Sequence, residues 1–274
     1  MGLIQIDENK CKKDGLCVSA CPMVIIRQQD KESCPELIPG TEHICLVCGH
    51  CVAVCPHEAF SHQKMTIESC SPIVKENVIR QDQAVQYLRS RRSIHNFKDK
   101  SLGKKQIQEL IEIARYAPTG SNSQPVVWTV FTDKDDLKNI AEMTINWIRS
   151  TLENPQQEAV TSTMSWLVAS WDNGFDVVTR NAPVLVFASV PSETRNNLVN
   201  LSIALTYMEL AAVRMGLGAC WAGGVQSALL QSKPLQEYID LPESHNSHYP
   251  MMLGYPRVRY HRLPERNPPV IIWK

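Results

Sequence analysis

From about residue 81 onward the apolar positions fall into regular patterns. Ala84, Val85 and Leu88 share one face of a helix that runs to about Ser90. Ile107, Leu110, Ile111 and Ala114 recur at helical spacing in a second helix, residues 104–116, which stops before Pro118. A turn rich in breakers and amide side chains, residues 117–125, leads into a strand at 126–132, and further strands are expected at 184–190 and 249–254. Between them residues 197–215 form a long helix that is apolar nearly all round, which reads as the core of a dimer. It runs into the glycine-rich stretch 216–224. Helices and strands mix without strict alternation and without a GxGxxG turn, so the pattern predicts an α+β fold with no Rossmann dinucleotide site. Residues 61–79 are polar without a clear period and suit a connector.

Composition adds little except by exclusion. With 43% hydrophobic residues, 20% charged residues and zero formal net charge, the chain has material for a proper core and no basic excess for nucleic acid. The apolar run 198–217 is interrupted by Glu209 and Arg214, which favours a buried helix over a membrane span. The first ten residues hold acidic groups and no signal-like apolar stretch, so a cytoplasmic location is expected.

The cysteines change the picture. Eight of the ten lie between Cys11 and Cys55, and only Cys70 and Cys220 lie beyond. This imbalance divides the chain into an expected cysteine-rich domain at 1–65, a linker at 66–80 and a second domain at 81–274. A reducing compartment makes such density a sign of metal ligation rather than of disulfides. Cys45, Cys48, Cys51 and Cys55, followed by Pro56, have the spacing CxxCxxCxxxCP of an iron-sulfur frame. Cys11, Asp14, Cys17, Cys21 and Pro22 repeat that frame with aspartate in the second position. Two frames imply two clusters. The crossover rule assigns Cys45, Cys48, Cys51 and Cys21 to one, and Cys11, Cys17 and Cys55, with Asp14 as a possible fourth ligand, to the other. Residues 7–64 thus resemble a two-cluster, bacterial-type ferredoxin. Asp14 leaves the second cluster open between 4Fe-4S and 3Fe-4S, since a carboxylate is a harder and weaker hold on iron than a thiolate. Cys34 has no place in the frame and reads as a small buried hydrophobe or idle thiol, with a substitute ligand as the alternative. Cys70 and Cys220 receive the same plain reading. His43, His50, His57 and His62 are expected on loops or the surface.

In the second domain three pieces occur in order: Arg91-Arg92-Ser93-Ile94-His95-Asn96-Phe97, the Ala-Pro-Thr-Gly-Ser-Asn-Ser-Gln-Pro turn at 117–125, and Gly-Leu-Gly-Ala-Cys-Trp-Ala-Gly-Gly at 216–224. Together they resemble the FMN-dependent nitroreductase family over residues 81–274. The resemblance implies an α+β sandwich, an intertwined homodimer and two FMN sites at the subunit interface. It places Arg91, Arg92, Ser93 and His95 in the first flavin-binding segment, where a cation and a hydroxyl meet the phosphate or the flavin's polar edge. Asn122 corresponds to an amide that hydrogen-bonds the ring, and Trp221, Ala222, Gly223 and Gly224 to backbone passing close beside it, an approach that glycine permits. Arg266 is the chosen C-terminal cation for the phosphate, over Arg262 and Arg257. Other readings stay open at this point. Arg91 and Arg92 also suit a solvated helix end, Asn122 can close the turn through its own side chain, and Trp221, Trp166 and Trp171 suit core or interface positions.

In such a protein the cofactor is the chemical reagent, so no catalytic side chain is expected. The sequence predicts electrons entering singly through the clusters, from a low-potential donor or from NAD(P)H, and pairing on FMN to reduce a small nitroaromatic or quinone-like acceptor. Two rivals stand beside this reading: an enzyme of the same fold with another specialised substrate, and a flavin-based electron-transfer or redox-sensing module.

Overall fold

The computed structural model describes residues 2–153 and 158–274. The chain forms two compact units: Met1–Ile79 together with Ser121–Ser123, and Arg80–Gly120 together with Gln124–Lys274.

The N-terminal unit is built on a repeat. Strand β1 (Ile4–Ile6) leads to helix α1 (Leu16–Ala20) and a small antiparallel ribbon of β2 (Ile26–Arg27) with β3 (Glu36–Leu37). Helix α2 (His50–Ala53) and β4 (Phe60–His62) follow, and β4 pairs antiparallel with β1 in the register Ile4 to His62 and Ile6 to Phe60. The backbone repeats as the cysteines do. Left-handed residues occur as Lys13 and Val47, Gly15 and Gly49, and Val24 and Glu58, each pair separated by the same 34 positions as Cys11 and Cys45. Each helix therefore begins at a glycine in the αL region, and at Gly49 a Cβ would also lie 2.2 Å from Met65 Sδ. Buried Ile25, Ile26, Val52 and Phe60 form a small core around Cys17. So little apolar surface gives a unit of this size only marginal stability, and such small domains rely on bound metal or covalent links.

In the second unit a four-stranded antiparallel sheet has the order β5 (Val127–Phe131), β6 (Val184–Val190), β8 (Ser247–Gly254), β7 (Gly218–Trp221). All seven residues of β6 are buried, because helices cover both faces. Val184, Val186 and Ala188 face α4 (Lys104–Ala114) and α7 (Asn197–Arg214), meeting Leu110, Leu201, Leu205 and Met208. Leu185 and Phe187 face α5 (Lys134–Glu153), α8 (Gly223–Leu229) and α9 (Lys233–Ile239) through Ile140, Val225 and Leu235. The expected α+β sandwich is the observed architecture of this unit. Helix α3 (Gln81–Ser90) forms as expected, yet its apolar face stays open, with Val85 44% and Leu88 58% exposed. Helix α6 (Glu158–Asp172) carries Trp166, which is exposed rather than core. No helix among the described residues is long and apolar enough to cross a membrane.

His248 on β8 bonds through Nδ1 to Gln226 Oε1 at 3.1 Å, and burial holds its imidazole below the ordinary 6.5. The unfolded chain then binds the proton more readily than the folded one, so this contribution is complete above pH 6.5 and is lost as pH falls below it. Thermal midpoints measured from pH 7.5 down to pH 5 should decline, and the decline should be shallower in His248→Gln.

Candidate functional site

The candidate ligands of the N-terminal unit sort into two cavities. Cys21, Cys45, Cys48 and Cys51 line one, walled by Ile4, Ile25, Ile26 and Leu37. Cys11, Asp14, Cys17 and Cys55 line the other, with Ile6 and Phe60 beside them. The grouping follows from the helices: the cysteine ending α1 turns away from its own frame toward Cys45, Cys48 and Cys51, and the cysteine after α2 does the reverse. Burial pushes the Cys17 and Cys51 thiols up to about 11, so at neutral pH they keep their protons until a metal displaces them. Among the described residues no three His, Cys, Asp or Glu side chains converge on a single-ion point. A multinuclear cluster asks for something else, thiolates spread around a volume with each meeting a different iron.

Asp14 sits in the second cavity, where Oδ1 accepts from the Leu16 amide at 3.1 Å and Oδ2 lies 3.6 Å from His57 Nε2. Cys34 lies against Cys11, and its thiol is raised by burial first and by that contact second. His43, His50 and His57 are exposed as expected, whereas His62 is buried. The surface expectation fails for His62 because β4 pairs with β1 and draws its side chain inward.

In the second unit, the segment that follows α3 lies on the end of the sheet. Ser93 bridges to Ala219, the Ile94 amide donates to the Ala219 carbonyl at 3.0 Å, and Phe97 bridges to Pro256. Gly218 and Gly254, paired across β7 and β8, make the approach possible. A Cβ on Gly218 would fall 2.4 Å from Ile94 Cγ1, and one on Gly254 2.7 Å from Phe97 Cδ1.

This packing gathers Arg91, Ser93, His95 and Trp221 around β7. Arg91 Nη1 donates to Glu209 Oε1 at 2.7 Å and lies 3.5 Å from Ser93 Oγ. Trp221 Nε1 donates to the other Glu209 oxygen at 3.3 Å and packs edge-on against Tyr249. His95 lies 3.8 Å from Cys220 Sγ, whose thiol burial raises, with the Glu209 carboxylate adding to the shift. The Arg92 guanidinium lies 5.8 Å over the Tyr260 ring, and its Nε is buried without a hydrogen-bond partner. Ala222 is buried with its amide on the Pro250 carbonyl, while Gly223 opens α8 and open space lies beside Gly224.

Two further expected residues are described by their own surroundings. Asn122 belongs with the N-terminal unit, where Nδ2 donates to the Leu46 and Val47 carbonyls at 3.2 and 3.0 Å. Arg266 lies on an exposed tail, and Arg257 donates through Nε to the Phe97 carbonyl. Glu209 was not among the expected site residues, although an acid inside an otherwise apolar helix is itself a signal, since burial obliges it to find a partner.

The cysteine-lined unit and the helix-covered antiparallel sheet define a redox protein of the α+β class. Residues 88–255 match the nitroreductase family, and residues 4–27 match the 4Fe-4S binding domain. Solved structures share the fold. An FMN-dependent nitroreductase from Clostridium difficile R20291 is 21% identical, with 70% of this chain and 100% of that one covered and a TM-score of 0.55. A nitroreductase with bound FMN from Desulfitobacterium hafniense DCB-2 is 17% identical over 71% of this chain and 100% of that one, with a TM-score of 0.56. Oxidized iodotyrosine deiodinase bound to FMN and 3-iodo-L-tyrosine is 18% identical over 69% and 98%, with a TM-score of 0.53. The chain belongs to the nitroreductase family and is an oxidoreductase with a 4Fe-4S binding segment near its N-terminus.

Proposed function

We propose that this protein is a cytoplasmic iron-sulfur flavoenzyme that passes electrons from two clusters to FMN and reduces a small electron-poor acceptor, nitroaromatic or quinone-like. The donor is a low-potential one-electron carrier or NAD(P)H. The observation that carries the reading is the sorting of eight candidate ligand side chains into two cavities, in a chain that also carries a nitroreductase-family unit.

Cys21, Cys45, Cys48 and Cys51 suit a 4Fe-4S cluster, and Cys11, Cys17 and Cys55 with Asp14 suit a 4Fe-4S cluster that drops readily to 3Fe-4S. FMN supplies the exchange of one and two electrons when bound. The residues for it are Arg91, Arg92, Ser93, His95, Trp221, Ala222, Gly223 and Gly224, with Asn122 and Arg266 as further candidates. The buried, unpartnered Nε of Arg92 fits this assignment, because a phosphate oxygen would satisfy a donor that is otherwise costly to bury. No side chain here acts as a catalytic base; the residues bind, orient and exclude water.

A homodimer accounts for apolar surface that the single chain leaves open. Leu198, Val199 and Tyr207 on α7 are exposed, as are Val270, Ile271, Ile272 and Trp273 on the tail. The test is anaerobic: purified protein should give about one flavin and about seven to eight irons per chain, the labile iron being the one at Asp14. A chain that takes up no flavin and elutes as a folded monomer would refute the flavoenzyme reading, and one holding a single cluster would refute the second site.

A further inference from the structure

His62 lines the first cavity with Cys21, Cys45, Cys48 and Cys51, and it is 3% exposed. Its ring is held from two sides. The Lys64 amide donates to Nδ1 at 3.0 Å, and Nε2 lies 3.6 Å from Cys45 Sγ. A nitrogen that accepts a hydrogen bond carries no proton, so the Lys64 amide fixes the neutral tautomer with its hydrogen on Nε2. That hydrogen points at the Cys45 sulfur.

The repeat supplies an internal comparison. Thirty-four positions before Cys45 and His62 stand Cys11 and Gln28. The Gln28 amide donates to the carbonyls of Lys13 and Ser33, at 3.0 and 2.9 Å, and so is engaged away from the Cys11 sulfur. The two halves share a backbone and differ in this donor.

A hydrogen bond to a ligand sulfur is stronger when more negative charge resides on the cluster, which is its reduced state. Burial strengthens the effect, because little water competes for the sulfur. We infer that His62 is a positioning residue that donates Nε2–H to the Cys45 sulfur and raises the reduction potential of the cluster held by Cys21, Cys45, Cys48 and Cys51. The inference rests on the two-cluster reading. It adds a residue that the ligand frame does not contain and an asymmetry between the two sites.

The experiment is an EPR-monitored redox titration of the full chain, with iron and sulfide counts, for the parent, His62→Leu and His62→Gln. His62→Leu removes the donor, and His62→Gln keeps an N–H near the position of Nε2. In loaded His62→Leu one cluster's reduction equilibrium should fall about tenfold, a shift of about 59 mV for one electron, with the other cluster unmoved and His62→Gln close to the parent. Unshifted potentials in loaded His62→Leu overturn the inference. Should His62→Leu fail to load, pulsed EPR of the reduced parent grown with ¹⁵N-histidine decides. A weak ¹⁵N coupling that His62→Gln abolishes supports the hydrogen bond, and a parent without that coupling overturns it. A parent with no iron refutes the cluster assignment instead, so the two failures are distinguishable.

Discussion

Cys48→Ser is expected to slow reduction of the bound flavin by a low-potential one-electron donor roughly 10- to 100-fold while leaving the flavin in place. Cys48 belongs to the four-thiol cavity, and its loss replaces a soft ligand with a poor one. A tethered iron-sulfur unit acts at high effective concentration, and without it the donor must meet the flavin by diffusion. Stopped-flow reduction under anaerobic conditions reads the rate, and extraction of the cofactor reads flavin content. Equal rates in the two proteins would show that electrons bypass this cluster.

Arg91→Ala is expected to cost both stability and flavin retention, and the two losses are separable. Glu209 is 6% exposed at its side chain, and Arg91 is the cation paired with it. Breaking a fully buried pair costs about 3 to 5 kcal/mol. Arg91 is 27% exposed, so solvent screening brings the expected loss to about 2 to 3 kcal/mol. A lost phosphate contact would weaken flavin binding by a further 1.5 to 3 kcal/mol, as an order-of-magnitude figure. Adding Glu209→Gln to Arg91→Ala removes the orphaned charge, so the double variant should regain most of its unfolding free energy yet still release flavin. Urea titration and flavin titration form the cycle. Full recovery of both in the double variant would assign Arg91 to Glu209 alone.

What the sequence revealed tracks how local each feature is. The cysteine frame is local, because one helical turn and one glycine cap set the spacing of its thiols. Strand β6 and helix α7 could be read because their apolar runs are long and their ends are marked. Helix α5 has an equally regular face, with Leu137, Ile140, Ala141, Thr144, Ile145 and Ile148 buried, and its pattern was open to the same reading. Strand β7 could not be anticipated, since Gly218 is a poor strand former whose place depends on Ile94 packing over it. The same holds for the two polar residues that sequence analysis missed. His62 is buried by pairing with Ile4, and Glu209 is neutralised by an arginine 118 positions away. A local window can flag Glu209 as an acid in an apolar helix, but it names neither its partner nor that of His62.

The glycine pair at the sheet end also fixes a dimension. Gly218 and Gly254 face each other, and together they let the strip from Ser93 to Phe97 rest on the strands at backbone distance. Two absent methyl groups thus set the gauge between Arg91, Ser93 and His95 on one side and Trp221 on the other. A methyl at Gly218 would meet Ile94, and the strip would ride outward on a shim, carrying Ser93 and His95 with it. A displacement on the order of 1 Å is enough to cost a well-aligned site about 10²-fold in rate. The calibre of the candidate flavin site is therefore set by what two residues lack.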